Sequence, residues 1–245
     1  FDLFLVLMVE LDQHFMVDEK LLDEIANYAS SWDTVLEIGT GMGVLTERLA
    51  KKAKFVYSVE KDEAFIPVLQ EKFLDVKNVA FMFADILEVE IPKFDKCISN
   101  LPFAICEPLM WRLFRLEFEE AVLVVPEGFA DILTGKTWSK LNFIVPMFFS
   151  VKKVRTIDKE AFNPPPRVRS ALVVLKPCQS DNPLRDVYQQ YDKKLRNALR
   201  EIYMKQGLTK RKASLKASTL FSKEMLDRKV LNLSAVEIKK LMEIF

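Results

Sequence analysis

This sequence predicts an α/β fold, with a mainly parallel sheet covered on both faces, followed by a small all-helical domain. Up to about Lys176, short β-branched and aliphatic runs alternate with helical patterns, as strands joined by crossover helices require. From Arg185 to the end, no strand pattern remains and the apolar residues recur at helical spacing. Half of the 245 residues are apolar, enough to bury a substantial core.

Taken in chain order, Phe1 to Met8 is apolar apart from Asp2. It lacks the basic flank and small-residue cleavage site of a signal peptide, so a docked N-terminal segment is expected. Asp18 to Ala29 predicts a helix with Leu21, Leu22 and Ile25 on one face and Asp18 as its cap. Strands are expected at Thr34–Ile38, Phe55–Glu60, Val79–Ala84, Lys96–Ser99, Ala121–Val125, Ser150–Thr156 and Ser170–Leu175. Glu107 to Leu116 predicts a helix that tolerates Pro108 in its first turn. Cys178 to Pro183 has the composition of a linker, which divides the chain into domains 1–177 and 178–245.

Composition excludes several function classes. No run of about 18 uncharged apolar residues occurs, so no membrane span is expected. Cys97, Cys106 and Cys178 have neither metal-like spacing nor an even count, which points to a reduced, cytoplasmic setting. His14 is the single histidine, so neither a His-dependent triad nor a zinc site is expected, and no metal is assigned. The net charge of +1 hides an asymmetry. From Arg185 onward 15 Lys and Arg face 7 Asp and Glu, a balance of +8, which leaves −7 for residues 1–184. A basic tail on an acidic body fits binding to a phosphate backbone. Lys193, Lys194, Arg196 and Arg200, with Lys210, Arg211, Lys212 and Lys216, are the candidate contacts, although a solvated helix face has the same composition.

The chemistry is written in two motifs. Val35-Leu36-Glu37-Ile38 leads into Gly39-Thr40-Gly41-Met42-Gly43, and a helical pattern starts directly afterwards. Such glycines let the backbone turn sharply and let a ligand approach the main chain. The spacing is G-x-G-x-G, not the G-x-G-x-x-G of a dinucleotide site, which favours S-adenosylmethionine over NAD. Glu60 ends the next strand about 20 residues beyond Gly39, where a ribose-hydroxyl acceptor belongs, and Asp85 ends the third, placed for an adenine amine. Either acid alone is as well explained as a helix cap. The second motif is Asn100-Leu101-Pro102-Phe103 after the strand-like Cys97-Ile98-Ser99. A carboxamide oxygen and a neighbouring backbone carbonyl can accept both N–H bonds of an exocyclic amine, and the proline stiffens the turn. Phe103 supplies a face for a flipped base. An ordinary strand-end turn is the alternative.

In order and combination these motifs resemble the ribosomal RNA adenine N6,N6-dimethyltransferase family. The likeness is carried by Gln13-His14-Phe15-Met16, the Glu37 to Gly43 loop with Leu45-Thr46-Glu47, Glu60, Asp85 and Asn100 to Phe103. Phe162-Asn163-Pro164-Pro165-Pro166-Arg167-Val168-Arg169-Ser170-Ala171 and Lys194 to Leu199 extend it toward the C-terminus. The resemblance implies a class I methyltransferase fold, Rossmann-like and seven-stranded, whose last two strands form an antiparallel hairpin. It implies a monomeric enzyme that uses S-adenosylmethionine to dimethylate two adjacent adenosines near the 3′ end of small-subunit rRNA, in immature small ribosomal subunits. It implies that His14 lies at the methionine end of the cofactor, with Met16, Gly39, Gly41, Glu60, Asp85 and Asn100 also among the residues that bind it. The target base would stack between Phe103 and Phe162. The chain departs from the family mildly at Met16, where Leu is usual, and also at Val9 to Asp12 and Pro126 to Asp131, two segments that bear on how RNA or the ribosome surface is held. A non-catalytic RNA-binding factor with the same fold and an NAD-dependent oxidoreductase are the rival function classes. The first is opposed by intact Glu60, Asp85, Asn100 and Phe103, the second by the glycine spacing.

Overall fold

The computed structural model describes residues 14–245; Gln13, the expected docked segment Phe1 to Met8 and the divergent Val9 to Asp12 lie outside the described residues. Two compact units are present, one comprising the chain up to Thr134 with Val151–Pro177, the other Gly135–Ser150 with Cys178–Phe245.

The first unit is built on seven strands: β2 (Thr34–Ile38), β3 (Phe55–Glu60), β4 (Val79–Phe83), β5 (Lys96–Asn100), β6 (Glu120–Pro126), β7 (Phe149–Ile157) and β9 (Ser170–Pro177). Their order across the sheet is β4-β3-β2-β5-β6-β9-β7. Neighbours from β4 to β6 run parallel, and β9 runs antiparallel to β6, with Ala121 opposite Leu175. A sheet of this kind must be buried on both faces, and β2, β5 and β6 are correspondingly apolar and buried. The helices that cover it include α1 (Glu19–Ala26), α2 (Val44–Lys52), α3 (Ile66–Lys72), α4 (Cys106–Leu113) and α5 (Glu127–Leu133). In α1 the Asp18 carboxylate accepts from Leu21 N–H at 3.1 Å, while Leu21, Leu22, Ile25 and Ala26 turn inward. Each fully buried aliphatic side chain of this kind contributes about 1.5–3 kcal/mol. The helix ends at Ala26, three residues short of Ala29, because Tyr28 and Ala29 N–H close tighter turns onto Ile25 and Ala26.

Two strands were not foreseen. β1 (Phe15–Met16) and β8 (Phe162–Asn163) pair antiparallel as a separate two-stranded sheet, with Phe15 opposite Asn163 and Met16 opposite Phe162.

The second unit is helical, with α6 (Leu141–Ile144), α7 (Leu184–Gln189), α8 (Leu195–Lys205), α9 (Lys210–Leu220), α10 (Lys223–Asp227) and α11 (Ala235–Met242). Leu195, Ala198, Leu199, Ile202 and Tyr203 form the buried face of α8. Ser234 and Glu237 make a reciprocal capping box at the start of α11.

Candidate active site

The parallel strands deliver their carboxyl ends to one edge of the sheet, the place where open α/β sheets bind ligands. Beyond Ile38 the backbone turns through Gly39, at φ 79°, and Gly41, at φ 52°. A Cβ at Gly39 would stand 2.9 Å from Pro102 Cδ, and one at Gly41 would stand 2.9 Å from the Phe15 ring. Glycine is therefore needed at both positions for conformation and for space. Glu60, at the end of β3, ties this loop down: Oε2 accepts Gly41 N–H and Oε1 accepts Asp62 N–H, each at 2.8 Å. Asp85, after β4, accepts Leu87 N–H at 2.8 Å and pairs with Lys61 Nζ at 2.9 Å. The Lys61 ammonium holds its carboxyl below the usual carboxylate range. Both acids thus do what a cap does, and each keeps acceptor capacity, since a carboxylate offers about four lone-pair sites.

Asn100 is the last residue of β5, opposite Val124 of β6. Its Nδ2 donates to the His14 carbonyl at 3.3 Å, whereas its Oδ1 is buried with no hydrogen-bond partner. Leu101 N–H donates to Val124 O at 3.1 Å, and the Pro102 carbonyl accepts Ile105 N–H at 3.1 Å. The His14 and Phe103 rings lie 6.0 Å apart.

A cavity of about 490 Å³ is formed here, within the 300–1,000 Å³ usual for small-molecule sites. His14, Met16, Gly39, Gly41, Glu60, Asp85, Asn100, Leu101, Pro102 and Phe103 all line it. Phe162 does not. Its ring is 2% exposed and packs in the apolar core with Met16, its partner across the short sheet. That removes Phe162 as a stacking face and corrects the expectation drawn from the sequence.

One cavity residue had been quoted only as part of the glycine motif. Glu37 is 1% exposed, and its Oε2 accepts the Thr46 and Ser58 hydroxyls at 2.6 Å each. Thr40 Oγ1 extends the chain to Ser58 Oγ at 2.5 Å. Burial pushes the Glu37 carboxyl up to about 7 despite these two donors, with nearby Glu60 adding to the rise. An acid inside an otherwise apolar strand was the signal available in the sequence.

The donor set suits a nucleoside with a cationic or amino group: carboxylates at two strand ends, an unpartnered carboxamide oxygen and a cradle that any Cβ would fill. Among the described residues no group of three or more His, Cys, Asp or Glu could hold a metal ion, and no helix is long and apolar enough to cross a membrane.

The sequence profile of the ribosomal RNA adenine dimethylase family matches residues 8–242. The chain belongs to this family. A probable ribosomal RNA small subunit methyltransferase A from Methanococcoides burtonii is 39% identical over 204 residues, covering 77% of this chain and 76% of its own. Another of that name, from Methanosphaera stadtmanae, is 32% identical and spans 94% of this chain and 90% of its own. Among solved structures, a dimethyladenosine transferase from Plasmodium falciparum superposes with a TM-score of 0.65 at 28% identity, covering 95% of this chain and 97% of its own. The 23S rRNA methyltransferase ErmE has the same fold, at a TM-score of 0.64 and 24% identity. Membership of the dimethylase family makes the chain an adenine methyltransferase.

Two groups stand out among the basic residues of the second unit. Lys193 pairs with Glu201 at 3.1 Å, Lys194 and Arg196 pair with Asp227, and Lys216 Nζ sits 4.4 Å from the Tyr203 ring centroid. Lys210, Arg211 and Lys212 are exposed in the first turn of α9, with no ion pair among the described residues.

Proposed function

We propose that this chain transfers methyl groups from S-adenosylmethionine to N6 of two adjacent adenosines near the 3′ end of small-subunit rRNA, as a step in small-subunit biogenesis. The observation that carries this is Asn100 Oδ1, a buried acceptor with no partner at the wall of the cavity. A buried acceptor left unpaired costs about 1–3 kcal/mol, and an incoming amine relieves that cost.

The residues divide the work as follows. His14 and Met16 flank the methionine end, while the Gly39–Gly41 turn admits the ligand to the main chain. Glu60 accepts the ribose hydroxyls with the lone pairs its two backbone bonds leave over, and Asp85 does the same for the adenine amine of the cofactor. Bound S-adenosylmethionine supplies an electrophilic methyl on sulfur. Asn100 Oδ1 and the Leu101 carbonyl accept the two N–H bonds of the target adenosine and draw its nitrogen out of conjugation. The Pro102 carbonyl already accepts Ile105 N–H, which favours Leu101 over Pro102 as the backbone acceptor. Phe103 stacks the flipped base. Positioning supplies most of the acceleration and no strong base is called for. The basic second unit holds RNA phosphates, Lys210, Arg211 and Lys212 foremost.

The test is to incubate the protein with labelled S-adenosylmethionine and unmodified small ribosomal subunits and to map the product at nucleotide resolution. Two adjacent dimethyladenosines are expected. Binding of subunits without any transfer would identify a non-catalytic factor instead.

A further inference from the structure

The Asn100 carboxamide is held by a distant part of the chain. Its Nδ2 donates to the carbonyl of His14 at 3.3 Å, and its Oδ1 stays unpartnered. A carbonyl can only accept, so this bond fixes which end of the carboxamide faces the cavity; the reversed amide would set two oxygens against each other. The tie is as good as the placement of residue 14, and three sets of contacts determine that placement. Phe15 and Met16 pair with Asn163 and Phe162. Val17 and Asp18 N–H donate to the Ala161 carbonyl at 2.8 and 3.3 Å. His14 Nδ1 lies 2.9 Å from the Pro164 carbonyl, which again can only accept, so Nδ1 carries the proton.

We infer that His14 is a positioning residue: hydrogen-bonded to Pro164, it latches the β1 segment so that its own carbonyl orients Asn100 for the reacting amine. The inference rests on the reaction proposed at Asn100. With Oδ1 outward, the carboxamide accepts from N6; with Nδ2 outward, donor would meet donor. His14 acts through Asn100, and the segment from Ala161 to Pro164 serves as the strike plate of the latch. Asparagine should replace His14 in this role, because its Nδ2 stands one bond beyond Cγ, as imidazole Nδ1 does. Glutamine carries its amide a carbon further out and should not.

The experiment compares His14→Ala, His14→Asn and His14→Gln in the full chain. Cofactor affinity is read by calorimetry, kcat and KM are read on unmodified small subunits at saturating S-adenosylmethionine, and the Asn100 side-chain amide is followed by NMR without substrate. Loss of one orienting hydrogen bond should lower kcat about five- to tenfold in His14→Ala, with a smaller change in KM for the RNA. His14→Asn should regain most of that loss and His14→Gln little of it; this pair decides the matter even if His14→Ala folds poorly. In an Asn100→Ala background, His14→Ala should cost nothing further, since no carboxamide remains to be oriented. The Asn100 amide protons should be protected from exchange in the parent and in His14→Asn, and exposed in the other two. Multiplying losses in the double variant, or unchanged Asn100 amide signals in His14→Ala and His14→Gln, would overturn the latch. A parent protein that methylates no ribosomal adenosine would sink the proposed reaction, and the NMR arm would still decide the latch.

Discussion

Asn100 has one end of its side chain anchored and the other end waiting, and Asn100→Ala removes both. Loss of an acceptor at the reacting atom of an electrostatic site costs on the order of 3–4 kcal/mol, or about two to three decades in rate. Methyl transfer by Asn100→Ala should fall by that much in a single-turnover assay, with cofactor affinity nearly unchanged; parental turnover would exclude the role given to it. Glu60→Ala should weaken S-adenosylmethionine binding about tenfold or more in calorimetry, because charge-assisted bonds contribute about 1.5–3 kcal/mol each. The loss now has a second source, since Glu60 also anchors Gly41 N–H. Glu37 gives a pH signature. Burial raises its carboxyl to about 7, above the ordinary 4.5. Below 4.5 both folded and unfolded chains hold the proton; as pH rises from there through 7, only the unfolded chain ionises freely, so stability declines. Glu37→Gln should flatten that decline, a relative gain on the order of 3 kcal/mol by pH 8 in urea unfolding. An equal pH dependence in both proteins would mean that Glu37 ionises without hindrance. Asn100, Glu60 and Asp85 were legible as candidate cavity residues because each sits at a strand end next to a turn motif. Glu37 was not, because its partners Thr46 and Ser58 come from α2 and β3, and only three-dimensional register brings them together.

The seven strands of the sheet were legible as elements, to within a residue or two at most ends, because each carries a run of apolar residues long enough to show its period. The β1–β8 pair was not, since two-residue strands have no period to show. Phe162 was misplaced for the same reason: a proline-rich segment gives no hint that its first aromatic turns inward against Met16. A different surprise concerns the divergent stretch from Pro126 to Asp131. Glu127, first in α5, accepts from Lys153 and Thr156 at 2.9 Å each and pairs with Arg169 at 2.9 Å, so it joins α5 to β7 and the approach to β9. Lys153, then Thr156, with Arg169 adding to them, hold its carboxyl down to about 2. A depressed carboxyl lends stability above about 4.5 that disappears as pH falls toward 2. Glu127→Gln should therefore melt earlier than the parent at pH 7, and the gap should close in scans near pH 2. A gap that persists in acid would assign the difference to packing.

At the scale of the molecule, charge is partitioned: the second unit carries 17 Lys and Arg against 8 Asp and Glu, and the first unit has the opposite excess. The sequence shows this total, but it does not show which cations are already engaged. Lys193, Lys194 and Arg196 have acidic partners, whereas Lys210, Arg211 and Lys212 stand unpaired at a helix N-terminus, where the dipole disfavours them. Neutralising those three should weaken binding to small subunits and reduce the log–log salt slope by about 0.7–0.9 per lost contact. Cofactor affinity should not move. Unchanged affinity and slope would make this turn a solvated face. The second unit is also assembled from two stretches of chain, and this limits how the protein can be cut. Leu141, Ile144, Val145 and Phe148 are buried, and Phe148 receives Cys178 N–H at 2.9 Å and the Arg185 guanidinium at 5.1 Å. Removing everything after Pro177 would strip these side chains of their cover and leave a greasy insert inside the catalytic unit. Such a fragment should bind a hydrophobic dye and aggregate on storage, and a soluble fragment would have to lose residues 135–150 as well.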